Sequence, residues 1–246
     1  MKIKKILVSQ PKPDTENSPY LEFAKKYNIQ WIFRPFIHGE SVSAKEFREQ
    51  KISILDHSAI LFTSRTAIDH FFALCKELRV VMPDTMKYLC ISEATAVYLQ
   101  KYVQYRKRKI IFADGKFDSL IEISKKYINE KILVPLSDVH KKEIPEKLTA
   151  AKFNWTKAIF YKTVSSNLSD VNIKDYDIIV FFSPSGIASL KKNFPDFVQG
   201  ETYIGAFGPA TGKAVTDAGL RLDIPAPTVK CTSMTAALED FVKKLK

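Results

Sequence analysis

The feature that most constrains this chain is a series of short, β-branched apolar runs with no polar alternation. Ile6-Leu7-Val8, 29–33, Ile60-Leu61-Phe62, 88–91 and Ile110-Ile111-Phe112 are of this kind, as are Ile132-Leu133-Val134, 158–161, 178–182 and Tyr203-Ile204-Gly205; 220–224, which does alternate, is read as a further strand. A strand with one wet face alternates; a strand covered on both faces does not, and double coverage belongs to parallel sheets. Between the runs the spacing turns helical. Ile68, Phe71, Phe72, Cys75 and Leu78 fall on one helical face, as do Met234, Leu238, Phe241, Val242 and Leu245. Strand–helix alternation from end to end predicts an α/β fold.

The chain also repeats itself weakly. Lys5-Ile6-Leu7-Val8 returns as Lys131-Ile132-Leu133-Val134, and Tyr27-Asn28 as Phe153-Asn154, both at an offset of 126. Leu61-Phe62-Thr63-Ser64 is matched by Val180-Phe181-Phe182-Ser183 at 119, and Glu93-Ala94-Thr95 by Pro209-Ala210-Thr211 at 116. The matches keep their order while the offset shrinks, which predicts two halves of about five βα units each. Pro35-Phe36-Ile37-His38-Gly39 and the polar stretch 162–170 have the character of connectors. A chain that passes between two domains at both places makes one of them discontinuous.

Lys and Arg number 38 against 27 Asp and Glu, a net charge of +11. Such a surplus speaks about partners: nucleic acid, an anionic membrane face or a small polyanion. The one dense cluster, Arg106-Lys107-Arg108-Lys109, runs directly into an apolar run and reads as the solvated approach to a strand. No basic face with interleaved aromatics is visible, so nucleic acid is not expected. No membrane span is expected either, because Ser183, Pro184, Ser185 and Gly186 break the most apolar window, 178–190, well short of about 20 residues. The basic N-terminus has only Ile6-Leu7-Val8 behind it, so no signal peptide is expected. Three scattered cysteines, Cys75, Cys90 and Cys231, suit a reducing, cytoplasmic location. With no extra amphipathic segment left over, the expected state is a monomer.

Familiar cofactor and metal signatures are missing. Gly205, Gly208 and Gly212 do not form a dinucleotide fingerprint, and Gly212-Lys213 lacks the rest of a phosphate loop. His38, His57, His70 and His140 have no metal-ligand spacing, and His70 falls off its helix's apolar stripe as a solvated residue would. The expectation is therefore no metal and no cofactor.

Four turns carry more information: Thr63-Ser64-Arg65-Thr66, Ser92-Glu93-Ala94-Thr95, Ser183-Pro184-Ser185-Gly186 and Gly208-Pro209-Ala210-Thr211. Each follows a strand and opens a helix. Ser, Thr, Gly and Pro serve any helix start. The free N–H groups and dipole there also attract anions, and in open parallel sheets ligands bind beyond the strand carboxyl ends. Tyr161 closes its own run at the mouth of such a cleft. A phenol there stays neutral at pH 7 and can donate to a departing oxygen. Taken alone, these residues describe a two-lobed α/β protein that holds a small polyanion.

The segments 181–186, 204–211, Ala226-Pro227-Thr228 with Thr235-Ala236-Ala237-Leu238, 59–64 with Ala67, and 159–163 together resemble the uroporphyrinogen-III synthase family over essentially the whole chain. The resemblance implies two flavodoxin-like α/β lobes with parallel sheets flanked by helices, joined by a two-stranded hinge. One lobe would hold 1–36 plus 167–246 and the other 40–161, with 37–39 and 162–166 as hinge strands. It implies a cyclising lyase that takes hydroxymethylbilane, a linear tetrapyrrole polycarboxylate, loses water, and inverts ring D through a spiro intermediate without metal or cofactor. A transient hand-over from porphobilinogen deaminase would deliver the substrate. The family's tyrosine corresponds to Tyr161. Its substrate-holding turns correspond to Thr63 and Ser64, to Ser183, Ser185 and Gly186, and to Gly208, Pro209 and Thr211; Ser92 and Thr95 are candidates from the helix-start pattern alone. Many members carry Thr-Arg-Pro after the first strand; here the residues are Ser9-Gln10-Pro11-Lys12, with Lys12 the nearby cation. The competing reading is a non-catalytic two-lobed binding protein closing on a small polyanionic ligand.

Overall fold

In the computed structural model, which describes residues 3–13 and 18–245, the apolar runs form parallel strands and the chain divides into two units. Unit 1 comprises Met1–His38 and Val164–Lys246; unit 2 is the continuous stretch Gly39–Thr163.

Unit 1 contains β1 (Lys5–Val8), α1 (Pro19–Tyr27), β2 (Gln30–Phe33), β9 (Ile178–Phe181), α7 (Pro184–Asn193), β10 (Tyr203–Phe207), α8 (Pro209–Asp217), β11 (Ile224–Ala226) and α9 (Met234–Lys244). Its sheet has the order β11-β10-β9-β1-β2, parallel throughout. Alternate residues of each strand serve two cores. Ile6, Val8, Ile178 and Val180 pack with Phe23 of α1 and Leu238 of α9. Leu7, Ile179 and Phe181 pack with Ile187 and Leu190 of α7 and Val215 of α8.

Unit 2 contains α2 (Ala44–Glu49), β4 (Ala59–Phe62), α3 (Arg65–Glu77), β5 (Lys87–Cys90), α4 (Glu93–Leu99), β6 (Ile110–Phe112), α5 (Phe117–Ser124), β7 (Ile132–Ser137) and α6 (Glu143–Ala150). Two strands, β3 (Ile37–Ser41) and β8 (Trp155–Ser165), carry the chain across the boundary between the units. The sheet order is β3-β8-β7-β4-β5-β6. Ile60 and Phe62 face Ile68 and Phe71 of α3, while Ala59 and Leu61 face α5 and α6 through Leu120, Ile144 and Leu148.

The two sheets share one plan. Read from the matching edge, unit 1 is β2-β1-β9-β10-β11 and unit 2 is β8-β7-β4-β5-β6. The sequence repeat equates β1 with β7 and β9 with β4, so repeated segments occupy equivalent sheet positions. Each half of the sequence thus gives its first two strands to one sheet and its last three to the other. Unit 2 is a circular permutation of unit 1.

The register at these joins is fixed by side chains at equivalent points. Ahead of β9, the Asp177 carboxylate accepts the N–H groups of Lys4 (2.7 Å) and Lys5 (2.8 Å). Ahead of β4, the Ser58 hydroxyl accepts the N–H of Lys131 at 3.1 Å. Asp177 and Ser58 are themselves separated by the repeat offset of 119.

One expected strand is displaced. The run 220–224 is mostly loop, and β11 begins only at Ile224. Gly219, at φ +72°, ends α8 in a left-handed turn, with Leu220 N–H donating to the Val215 carbonyl and Gly219 N–H to that of Thr216. In this Schellman arrangement Leu220 is buried as the apolar residue that closes the helix end, which gives a loop the hydrophobicity of a strand.

A fragment 39–163 holds a whole sheet with both faces covered, whereas a fragment 1–126 has strands from two sheets and completes neither. The first is expected to unfold in one cooperative denaturant transition and the second to show none; a cooperative 1–126 fragment would contradict the strand exchange.

Candidate active site

Strand carboxyl ends and helix amino ends meet at one edge of each sheet. In unit 2, Ser64 caps α3, its hydroxyl accepting the Ala67 N–H at 3.0 Å. Ser92 caps α4, accepting from Thr95 N–H at 3.3 Å and lying 3.0 Å from the Thr95 hydroxyl. In unit 1, Ser183 caps α7 by accepting from Gly186 N–H at 3.3 Å. The fourth turn differs. Gly208, at φ +91°, offers α8 no side-chain cap, and its own N–H donates to Ala226 O at 2.6 Å. A Cβ at position 208 would force the left-handed conformation on a residue that resists it.

In unit 1, the turn after β9 lies against the end of β1. A Cβ on Gly186 would stand 3.2 Å from the Phe181 ring, 3.7 Å from Ser9 Oγ and 3.8 Å from Ser183 Oγ. Ser185 is half-buried beside it, Pro209 is exposed and Thr211 is buried at the start of α8. Lys12 is exposed in the loop after β1.

Unit 2 draws its residues together more tightly. A pocket of about 330 Å³ opens where β7 and β4 diverge, the topological switch point of this sheet. Thr63, Ser64, Ser137 and Tyr161 supply hydroxyls; Ile91, Phe117, Leu136 and Ile144 supply apolar wall; His140 and Lys141 supply basic groups. Ser92 instead lines a separate depression with Glu93 and Asp114, and Thr95 is buried beneath its cap. So Thr63, Ser64 and Tyr161 converge, while Ser92 and Thr95 do not join them.

Tyr161 reaches its place through a bulge. Leu136 pairs with Ile159, but Ser137 pairs with Tyr161, so β8 carries one extra residue. Strict alternation would send Phe160 and Tyr161 to opposite faces. With the bulge both pack on α3: Phe160 against Phe71 (5.1 Å between centroids) and Tyr161 against His70 (4.7 Å, planes 14° apart). Burial pushes the Tyr161 phenol above its ordinary 10.0, against the opposing pull of a hydrogen bond with the Ser64 side chain; the Asp138 charge adds to the rise. The phenol is therefore neutral at pH 7 and available as a donor.

His70 is not the solvated residue its helical position suggested. It is half-buried, stacked on Tyr161, with Nδ1 2.6 Å from Ser41 Oγ, and burial lowers its pKa despite the neighbouring Asp69.

The loop from β7 to α6 lacks the hydroxyl, Gly or Pro pattern of the other helix starts, since α6 has no side-chain cap and Lys142 stands at its start. Yet this loop brings Ser137, His140 and Lys141 into the pocket. His140 Nδ1 donates to the Ser137 carbonyl at 2.8 Å, so Nδ1 carries the proton. The Asp138 carboxylate resists a burial cost and stays below the usual carboxylate range because it accepts from Thr163 N–H (2.8 Å), the Ser137 hydroxyl (2.9 Å) and Val139 N–H (2.8 Å). Its position after a strand was the available signal.

The sequence model of uroporphyrinogen-III synthase HemD matches residues 19–236. The chain belongs to the uroporphyrinogen-III synthase family. Its members are cyclising lyases of porphyrin biosynthesis, and so is this chain. The fold agrees. It resembles the uroporphyrinogen-III synthetase of Helicobacter pylori (TM-score 0.59, 15% identity, 99% of this chain and 100% of that one covered). It also resembles a triple mutant of the Thermus thermophilus synthase (TM-score 0.52, 13% identity, 98% of each chain covered). No curated protein sequence matches it. Among the described residues, no helix is long and apolar enough to cross a membrane.

For this member of the synthase family, the burial of Tyr161 has a direct consequence. The ultraviolet phenolate signal that Tyr161→Phe removes is expected to titrate above pH 10. A midpoint below 10 would mean that the Ser64 bond or a nearby cation outweighs burial.

Proposed function

We propose that the chain converts hydroxymethylbilane to uroporphyrinogen III, and that Tyr161 assists departure of the terminal hydroxyl. The observation that carries this reading is the neutral phenol at the sheet's switch point, joined to Ser64 and lining a pocket with both apolar wall and basic groups. In the reaction the C–O bond of the hydroxymethyl group breaks and oxygen leaves as water. The resulting electrophilic carbon is attacked by the substituted carbon of ring D, giving the spiro intermediate. The older bond from that carbon to the bridge of ring C then breaks, the freed bridge carbon bonds to the unsubstituted α-carbon of ring D, and loss of the proton from that α-carbon restores the last pyrrole as the inverted macrocycle closes. A hydrogen bond from Tyr161 to the departing oxygen lowers the cost of the first step.

Most of the task is steering, since the bilane carries acetate and propionate on each of four rings and can cyclise unaided to the non-inverted isomer. A chain with net charge +11 draws such a polyanion in. Thr63, Ser64, Ser92 and Thr95 in unit 2, and Ser183, Ser185, Gly186, Gly208, Pro209 and Thr211 in unit 1, would hold carboxylates at helix N-termini. Lys12 would add charge from the loop after β1. Residues 37–39 and 162–166 would act as a hinge that lets the lobes take up and release substrate. The reading includes a cytoplasmic monomer that receives its unstable substrate by transient hand-over from porphobilinogen deaminase.

The test is a coupled assay in which the deaminase generates the bilane and the porphyrin isomers are separated after oxidation. Predominant isomer III is expected; isomer I alone, as in a control without the protein, would defeat the proposal. Tyr161→Phe is expected to lower turnover at least about tenfold while product affinity stays close to wild type. Weakened product binding with unchanged turnover would remove the phenol from the chemistry.

A further inference from the structure

His70 and Gly39 form a packed unit with Tyr161 that the reaction itself does not call for. The imidazole stacks on the phenol ring with centroids 4.7 Å apart and planes within 14°. Its Nδ1 lies 2.6 Å from the Ser41 hydroxyl on β3. On the same strand, a Cβ at Gly39 would come 2.7 Å from His70 Nε2, 3.3 Å from Tyr161 Cδ2 and 3.5 Å from Thr66 Cγ2. The first distance is shorter than real Cβ contacts allow. Glycine is required here by space and not by a left-handed backbone, since its φ lies outside that region.

From this geometry we propose that His70 is a positioning residue for Tyr161: wedged between Gly39 and the phenol ring and tethered to Ser41, it sets the direction of the hydroxyl. The claim rests on the catalytic role proposed for Tyr161. Proton transfer by His70 itself does not fit the arrangement. One ring nitrogen faces the backbone at Gly39, the other is engaged by Ser41, and His70 is absent from the lining of the pocket that Tyr161 enters. What the imidazole supplies is a flat surface of the right thickness, held at the right angle. A flat ring backed on one face loses rotamer freedom, and a displacement of about 1 Å at a reacting group costs on the order of a hundredfold in rate.

The experiment compares His70→Ala, His70→Phe and Gly39→Ala, each with and without Tyr161→Phe, in the coupled isomer assay. Circular dichroism checks folding, and the ring resonances of labelled Tyr161 are followed by NMR. His70→Ala is expected to lower kcat about tenfold to a hundredfold with KM nearly constant, and to shift the Tyr161 resonances. His70→Phe, which keeps a flat ring, should restore most of that turnover. Gly39→Ala should behave like His70→Ala, because the added methyl displaces the imidazole. With Tyr161→Phe already present, His70→Ala should change kcat by less than about twofold.

Equal losses from His70→Ala in both backgrounds would show a merely structural role and overturn the proposal. So would His70→Phe no better than His70→Ala, which would shift attention to the ring nitrogens. Full activity of Tyr161→Phe alone would instead remove the catalytic reading of Tyr161, and the positioning role with it. The single Tyr161 variant therefore separates the two failures.

Discussion

Two strand pairings hold this architecture together: β1 against β9 and β7 against β4. Each joins strands from opposite halves of the sequence, and each lies at the centre of its sheet. The paired residues, Ile6–Val8 with Ile178–Val180 and Ala59–Ile60 with Ile132–Leu133, are buried, so their main-chain groups must find partners within the sheet or go without. That requirement sets the path of the chain. Having laid down β1 and β2 in unit 1, it must leave through β3 to build unit 2, and it returns through β8 to supply β9. The candidate pocket is a by-product of the same pairing. Where β7 and β4 lie side by side their connections turn to opposite faces of the sheet, and the space between becomes a crevice.

Each join is secured by a different chemistry at the same structural point. Asp177 uses a carboxylate to hold two backbone N–H groups, and Ser58 uses a hydroxyl to hold one. The two halves differ in residue type at this point, yet both place an acceptor ahead of the central strand. Their helix caps are unequal too. Of the helices that open at the four candidate turns, three begin with a serine whose hydroxyl is engaged by its own first turn, but α8 begins with Gly208 and leaves that turn without a side-chain acceptor.

Much of this was legible in the sequence because two-sided burial leaves a plain mark. Runs such as Ile60-Leu61-Phe62 and Ile178-Ile179-Val180 announce central parallel strands, and Ser64, Ser92, Ser183 and Gly208 stand at the helix starts their residue types favour. Features that depend on tertiary context were not legible. Pro35-Phe36-Ile37-His38-Gly39 reads as a connector although β3 starts at Ile37, because an edge strand needs little apolar surface; only the family resemblance marked 37–39 as strand. Leu220 carries strand-like hydrophobicity for the sake of a helix end. The bulge that turns Tyr161 onto α3 adds no unusual residue, and His70 is drawn into contact by that bulge and not by its helical phase. The β7–α6 loop lacked a cap and was marked only by its place after a strand, although it supplies His140 and Lys141 to the pocket.

The exchange of strands also has a consequence for vectorial synthesis. Unit 2 ends at Thr163, so its sheet can close while the chain is still emerging from the ribosome. β1 and β2, made before unit 2, have no central partner until β9 appears near residue 178. At about 5–20 residues per second that interval lasts on the order of ten seconds or more. Throughout it, the apolar faces of Ile6, Leu7 and Val8 wait while a sheet of the same kind is completed from the residues that follow them. Strands made before unit 2 are thus buried only after it, and a period of exposure to chaperones and to mispairing is written into the order of the strands.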